Sequence, residues 1–257
     1  MIRLDDQLTV VVQGAISDVT PEVVQHYLDS SRIYRVIFSG WAGEFLPLTH
    51  KKLTITYNED PRKPGIGNRN RQIVSSYFGV ALSQTKYTWK VRSDQIYNQE
   101  CINTYLDYFE DQFDEKYPKI FTPGMYTKEL FHIRDHQTLS TTKKIKEFWQ
   151  CPLDEWIGTV DYNQCVRAEA YIVCNYLKIY STAAFLAISE PKKYLLDNAP
   201  ERAKMLISSN RIMPNYFQAM PPVDFRWPRH FGSGPYHYET AKNLHGEWWG
   251  EKIKTNY

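Results

Sequence analysis

The apolar and polar positions change rhythm several times along the chain. Leu8-Thr-Val-Val-Val12 is a short apolar run closed by Gln13-Gly14, the pattern of a buried strand entering a tight turn. Thr20-Pro21-Glu22 then supplies an N-cap, a proline suited to the first helical position and an acid in the first turn, so a helix is predicted over 21–28. Tyr34-Arg-Val-Ile-Phe38 and Leu53-Thr-Ile-Thr-Tyr57 predict the second and third strands. Residues 58–71 form a polar stretch punctuated by Pro and Gly that runs into a helix predicted over 70–83. Its spacing puts Ile73, Tyr77, Val80 and Ala81 on one face. Tyr87-Thr-Trp-Lys-Val-Arg92 alternates, with Tyr87, Trp89 and Val91 to one side, and ends at Ser93-Asp94-Gln95. A helix is expected over 99–113, then a strand over 119–122 and a turn at Pro123-Gly124.

The second half is less regular. Phe131-His-Ile-Arg-Asp-His136 precedes a polar capping run and a helix predicted over 142–149, and 165–177 reads as a mostly apolar helix. The C-terminal third, with Pro221-Pro222 and Gly232-Ser-Gly-Pro-Tyr-His-Tyr238, reads as a loop-rich wrap around the core rather than a second domain. Alternating strands and helices predict one α/β domain over 1–257 with a mostly parallel central sheet flanked by helices.

Composition narrows the field. The chain has 257 residues, 31 basic against 29 acidic, with a net charge of +2, which gives no electrostatic footprint for nucleic acid. Hydrophobic residues at 42 % and charged residues at 23 % fit a globular domain and not a disordered or fibrous one. Nineteen Tyr, 12 Phe and 7 Trp supply flat amphipathic rings suited to sugars and bases, and equally to a core. No stretch approaches the roughly 20 apolar residues needed to span a bilayer. Acids precede the first apolar run, unlike a signal peptide, so a cytoplasmic location is expected, with peripheral membrane contact left open. Cys101, Cys151, Cys165 and Cys174 form no CxxC and read as reduced thiols.

In open α/β sheets ligands bind beyond the carboxyl ends of the strands. The first strand delivers Gln13-Gly14 there, the third Glu59-Asp60, and the fourth Arg92-Ser93-Asp94-Gln95. The helix after the third strand opens with Arg69, Asn70 and Arg71, where free N–H groups and the helix dipole suit a phosphate and arginines add bidentate recognition. An aspartate at a strand end can hold a divalent cation bridging a diphosphate. Taken singly, Asp94 reads as a helix cap, Arg69 and Arg71 as solvated charges, and Gln13-Gly14 as a turn. Their convergence on one sheet edge describes a nucleotide-diphosphate site.

The order and spacing of Thr9-Val-Val-Val-Gln-Gly14, Phe38-Ser-Gly-Trp41, Asp60-Pro61, Asn68-Arg-Asn-Arg-Gln-Ile-Val-Ser-Ser76 and Lys86-Tyr-Thr-Trp-Lys-Val-Arg-Ser-Asp94 resemble the WavE lipopolysaccharide-synthesis family. Phe131–His136 and Arg167-Ala-Glu-Ala-Tyr171 are looser landmarks of it. The resemblance implies a GT-A-like glycosyltransferase that takes a nucleotide-diphosphate sugar, with UDP one such carrier, and delivers the sugar to a glycan or glycolipid acceptor. It implies a nucleotide-sugar half over 1–97 and an acceptor half over 98–257. Gln13 and Gly14 would line the nucleotide pocket, Asp60 would approach base or ribose, and Asn70, Arg71 and Gln72 would contact the nucleotide or its phosphates. Arg92 and Asp94 occupy the place of the GT-A Asp-x-Asp element, with Asp94 as ligand to Mn²⁺ or Mg²⁺. Only one acid is kept there, so Arg92 would share the neutralisation of the diphosphate.

An inverting transferase needs a carboxylate to deprotonate the acceptor hydroxyl. Asp135, Asp154, Glu155, Asp161 and Glu169 are available, and Asp135 and Glu169 are preferred, the first from a loop between two histidines and the second from the start of an apolar helix. Each also reads as a capping or hydrogen-bonding residue. His132-Ile-Arg-Asp-His136 resembles an inverted zinc motif, which requires a helix. His230, His237 and His245 read as late metal ligands, as cover for the active site or, more simply, as partly exposed loop histidines, and Trp248-Trp249 as an acceptor seat, a membrane contact or tail packing. The rival class is a non-catalytic glycan- or nucleotide-binding module on the same fold.

Overall fold

A computed structural model of the chain describes residues 2–4, 6–126, 129–154, 167–195, 199–221, 223, 225–226 and 238–239. Four strands, β1 (Leu8–Gln13), β2 (Arg35–Trp41), β3 (Leu53–Asn58) and β4 (Tyr87–Arg92), run parallel. Helix α1 (Thr20–Asp29) joins β1 to β2, and α2 (Arg69–Ala81) joins β3 to β4. Then come α3 (Gln99–Gln112), β5 (Ile120–Thr122), β6 (Thr138–Thr141), α4 (Thr142–Trp149), α5 (Ala168–Leu177), α6 (Thr182–Ser189), α7 (Pro191–Tyr194), α8 (Arg202–Tyr216) and β7 (Phe217–Ala219). The seven strands form one sheet in the order β3-β2-β1-β4-β6-β5-β7. Strand β6 is antiparallel to β4 and β5, and β7 returns parallel to β5. Strands β8 (Phe225–Arg226) and β9 (Tyr238–Glu239) make a separate antiparallel pair. The mostly parallel central sheet flanked by helices is therefore what the chain forms.

A strand covered on both faces has no reason to alternate, and β1 does not. Val10 and Val12 join a core with Val23 and Tyr27 of α1, Trp89 of β4 and Phe109 of α3. Val11 joins the opposite core with Ile37, Ile73 and Val80. Helix α2 lies very close to the sheet: a Cβ at Gly79 would stand 2.5 Å from Val11 Cγ1 and 2.8 Å from Ser39 Cβ. That closeness corrects the predicted apolar face. Ile73 and Val80 are buried but Tyr77 is only partly covered and Ala81 is exposed, while Ser75, Ser76 and Gly79 fill the contact. Small side chains are what let the two backbones approach.

Three further expectations change. Thr20 does not cap α1. Its Oγ1 accepts from Ser17 N at 2.8 Å and donates to Ser93 O at 3.1 Å, tying the helix start to the end of β4. Strand β6 was hidden in a polar run because its groups are satisfied internally. Trp149 Nε1 donates to Thr138 Oγ1 at 3.1 Å, and Ser140 Oγ donates to Lys119 O at 2.7 Å. The loop-rich C-terminal third contains three helices over 182–216, the first opened by Ser181 Oγ accepting from Ala184 N at 3.2 Å. Cys165, Glu155, Asp161, His230, His237, His245, Trp248 and Trp249 lie outside the described residues.

Candidate active site

Strand order reverses between β1 and β4, and the register pairs Gln13 with Arg92 at their carboxyl ends. This is the crevice position at which open α/β sheets bind ligands. Ser93 closes it from below: Ser93 N donates to Gln13 O at 2.9 Å and Ser93 Oγ to Ala15 O at 2.8 Å. Gly14 has φ +129°, and a Cβ there would lie 2.6 Å from Ser93 Oγ, so only glycine lets the two turns meet. Glu44, which the sequence pattern did not single out, accepts from Ile16 N at 3.1 Å and Trp41 N at 3.0 Å and locks the β1 and β2 exits together.

The start of α2 is used differently from a bare phosphate cradle. Asn70 is buried, and its Nδ2 donates to Lys63 O at 2.8 Å and Asp154 O at 2.7 Å while Oδ1 accepts from Asp154 N at 2.7 Å. Its amide is thus committed to holding the 60–66 loop and the 154 segment against the helix. Arg69 is buried as well, 3.4 Å from Asp154 Oδ2 and stacked 4.4 Å over the Tyr171 ring. Arg71 grips Asp60 with a two-pronged contact, Nε to Oδ1 at 2.8 Å and Nη2 to Oδ2 at 2.5 Å, on the open side of the loop. That guanidinium holds the Asp60 carboxyl below its usual range. Ser75 Oγ donates to Gln13 Oε1 at 2.6 Å, which connects α2 to the strand edge.

One turn deeper, residues from four elements converge. Asp135 is buried and accepts a short hydrogen bond from Gln72 Nε2. Burial, followed by the nearby charge of Glu169 at the start of α5, pushes the Asp135 carboxyl up, against the pull of Lys90 and Arg92. Glu169 is itself raised, chiefly by burial. Asp135, preferred from the sequence, thus meets Gln72, and Glu169, the other preferred carboxylate, is near enough for its charge to act on it. Lys90 completes the site and was missed. Its ammonium is fully buried on β4, donates to Asp135 O at 2.8 Å, and lies 4.4 Å over the Trp149 ring. Burial brings it down to about 7. The available signal was the alternation of β4, which puts Thr88, Lys90 and Arg92 on the face opposite Trp89 in a strand covered on both sides.

Arg92 and Asp94 form a two-pronged pair of their own, Nε to Oδ1 at 2.8 Å and Nη2 to Oδ2 at 2.5 Å. Both oxygens of the expected cation ligand are thus taken by a guanidinium. Among the described residues no group of three His, Cys, Asp or Glu side chains is placed to hold a metal ion. As arranged, this donor set fits an ion pair and not Mn²⁺ or Mg²⁺. The zinc reading of His132–His136 also lacks its helix: Met125 and Ile133 form an antiparallel bridge, and the segment is the return arm of a hairpin. Burial takes the His132 ring down to about 4.

Fold and site together define an α/β protein with a doubly wound parallel half and a charged crevice at its switch point. The sequence matches the family described as WavE lipopolysaccharide synthesis over residues 8–155, and the chain belongs to that family. Comparison with curated proteins returns no match. Among solved structures it is similar to 4-diphosphocytidyl-2C-methyl-D-erythritol synthase from Anaerococcus prevotii, at 12 % identity over 62 % of this chain and 83 % of that one with a TM-score of 0.41. A 2-C-methyl-D-erythritol 4-phosphate cytidylyltransferase from Francisella tularensis is similar at 11 % identity over 56 % and 76 %, TM-score 0.37. HddC from Yersinia pseudotuberculosis is similar at 13 % over 61 % and 84 %, TM-score 0.35. No helix among the described residues is long and apolar enough to cross a membrane.

Proposed function

We propose that the chain is a glycosyltransferase moving a sugar from a nucleotide-diphosphate donor to a glycan or glycolipid acceptor of a surface polysaccharide or lipopolysaccharide, with the cytoplasm as its compartment. The observation that carries this reading is the buried Asp135, raised by burial and by Glu169, set beside Lys90 and Arg92 at the switch-point crevice. A carboxylate with a raised pKa is a better acceptor for a hydroxyl proton than an ordinary one. In this reading Asp135 takes the proton of the attacking hydroxyl, Gln72 orients it, and Glu169 tunes it. Arg92 and Lys90 face the diphosphate that leaves, and Gln13 and Gly14 floor the nucleotide pocket. Asp94 positions the Arg92 fork and Asp60 positions Arg71, each through its paired contact.

Thermal-shift measurements with UDP, GDP, CDP and dTDP, each with Mn²⁺, Mg²⁺ or EDTA, test the reading, because a ligand of the native state raises the midpoint. A shift with one nucleotide that persists in EDTA, together with sugar release from its nucleotide sugar that Asp135→Asn abolishes, is the expected result. A shift without turnover would turn the assignment to a binding module. No shift with any nucleotide would remove it.

A further inference from the structure

Arg134 sits on the return arm of the hairpin that links β5 to β6. Arg134 N donates to Gly124 O at 2.8 Å beside the Met125–Ile133 bridge, and the chain turns immediately after it at Asp135–His136. Asp135 meets Gln72, whereas Arg134 turns to Tyr126 and lies close enough to Tyr97 to stabilise its anionic form. Arg134 is 5 % exposed. Its Nε donates to Tyr126 Oη at 2.7 Å and the guanidinium stands 5.6 Å from that ring's centre. Nη2 is buried with no hydrogen-bond partner. Among the described residues no carboxylate lies within ion-pair distance of it. Two other cations of this region are answered by carboxylates from within: Arg69 faces Asp154 and Arg92 holds Asp94. Arginine stays charged in any protein environment, and a buried charge without a counter-charge is strongly unfavourable. An anion from beyond the described residues resolves the conflict.

We propose that Arg134 receives an oxyanion, phosphate or carboxylate, carried by the acceptor substrate. The bearer follows from position, and rests on the transferase reading: the residue next to the proposed base meets the molecule whose hydroxyl that base serves. The planar fork of arginine matches both oxyanions.

The test is a thermal-shift titration of the full chain with sodium phosphate and, separately, sodium glucuronate, at ionic strength held constant with sodium chloride. Phosphate is expected to raise the midpoint if the acceptor is phosphorylated, and glucuronate if it carries an acidic sugar. Arg134→Gln should weaken the responding anion about tenfold or more, the scale of a lost charge-assisted hydrogen-bond pair. The same variant without ligand should melt no lower than wild type, because it removes an uncompensated charge. Arg134→Lys, which keeps the charge and loses the fork, should fold and respond weakly. No shift of wild type with either anion, an unchanged response in either variant, or a clearly lower melting point for Arg134→Gln would each overturn the proposal. Neither anion is a sugar donor, so absence of donor turnover would remove the transferase reading without altering this result.

Discussion

The Asn70 carboxamide and the Asp154 peptide unit bind each other in both directions, at 2.7 Å each way. A side chain here does what a neighbouring strand would do, and it anchors the segment before α5 to the first turn of α2. Asn70→Ala would strip one N–H and two carbonyls, all partly buried, of their partner. The expected loss is about 2–4 kcal/mol, less than three fully buried groups at about 1–3 kcal/mol each would cost, because water reaches these groups in part. Urea denaturation should show it as a lower midpoint with an unchanged slope.

Gly79→Ala should destabilise although alanine is the better helix former. The helix gain is about 1 kcal/mol. The new methyl meets Val11 Cγ1 and Ser39 Cβ, neither of them the end of a flexible chain. Overpacking costs about 1–3 kcal/mol, and contacts of 2.5 and 2.8 Å on two sides put this case at the upper end, so the net effect is a loss. Thermal melts of the two proteins decide it.

If Asp135 is the base, Asp135→Asn should lower kcat by about 100- to 10,000-fold with little change in melting temperature. The acid limb of the pH–rate profile should lie above the ordinary carboxylate range, because Asp135 must lose a proton that burial and Glu169 help it keep. Glu169→Gln removes that negative charge, so the limb should move to lower pH. A limb that stays in place would separate Glu169 from the chemistry.

Lys90 carries a stability signature of its own. The native ammonium loses its proton at about 7 while the unfolded chain keeps one to its ordinary value near 10.5. Between these limits the unfolded state binds more protons, so this group makes stability rise with pH across that window. Lys90→Met should be the more stable protein at pH 7, and its advantage should shrink towards pH 10. The quantity to measure is the difference between the two proteins at each pH, which cancels the shared tyrosines and cysteines.

Much of the parallel half was legible because its strands announce themselves. Val10, Val11 and Val12 could only belong to a strand buried on both sides, and Thr141 with Thr142–Trp149 marked α4 to the residue. Strand β6 was not legible, since Thr-Leu-Ser-Thr looks like a loop until Trp149 and Lys119 are known to satisfy it. The site edge at Gln13 and Arg92 followed from strand ends alone. What Asn70, Arg71 and Asp94 actually hold did not, because each is claimed by a group distant in sequence or by an ion-pair fork that pattern does not encode. Lys90 was hidden by the ordinary habit of reading a strand lysine as solvated.

The placement of β7 bears on how the chain reaches this state. Ile120 pairs with Phe217 and Thr122 with Ala219, with β6 and helices α4 to α8 between them in sequence. Pairings so distant close slowly, because the intervening loop must lose its freedom first. On a ribosome the parallel half is complete once Arg92 has emerged, while β5 waits for its outer neighbour. The waiting edge is three residues long and the strand beside it is rich in threonine and serine. A short edge beside polar chain is a poor template for another molecule, so the order of synthesis leaves this edge little exposed to aggregation before β7 arrives.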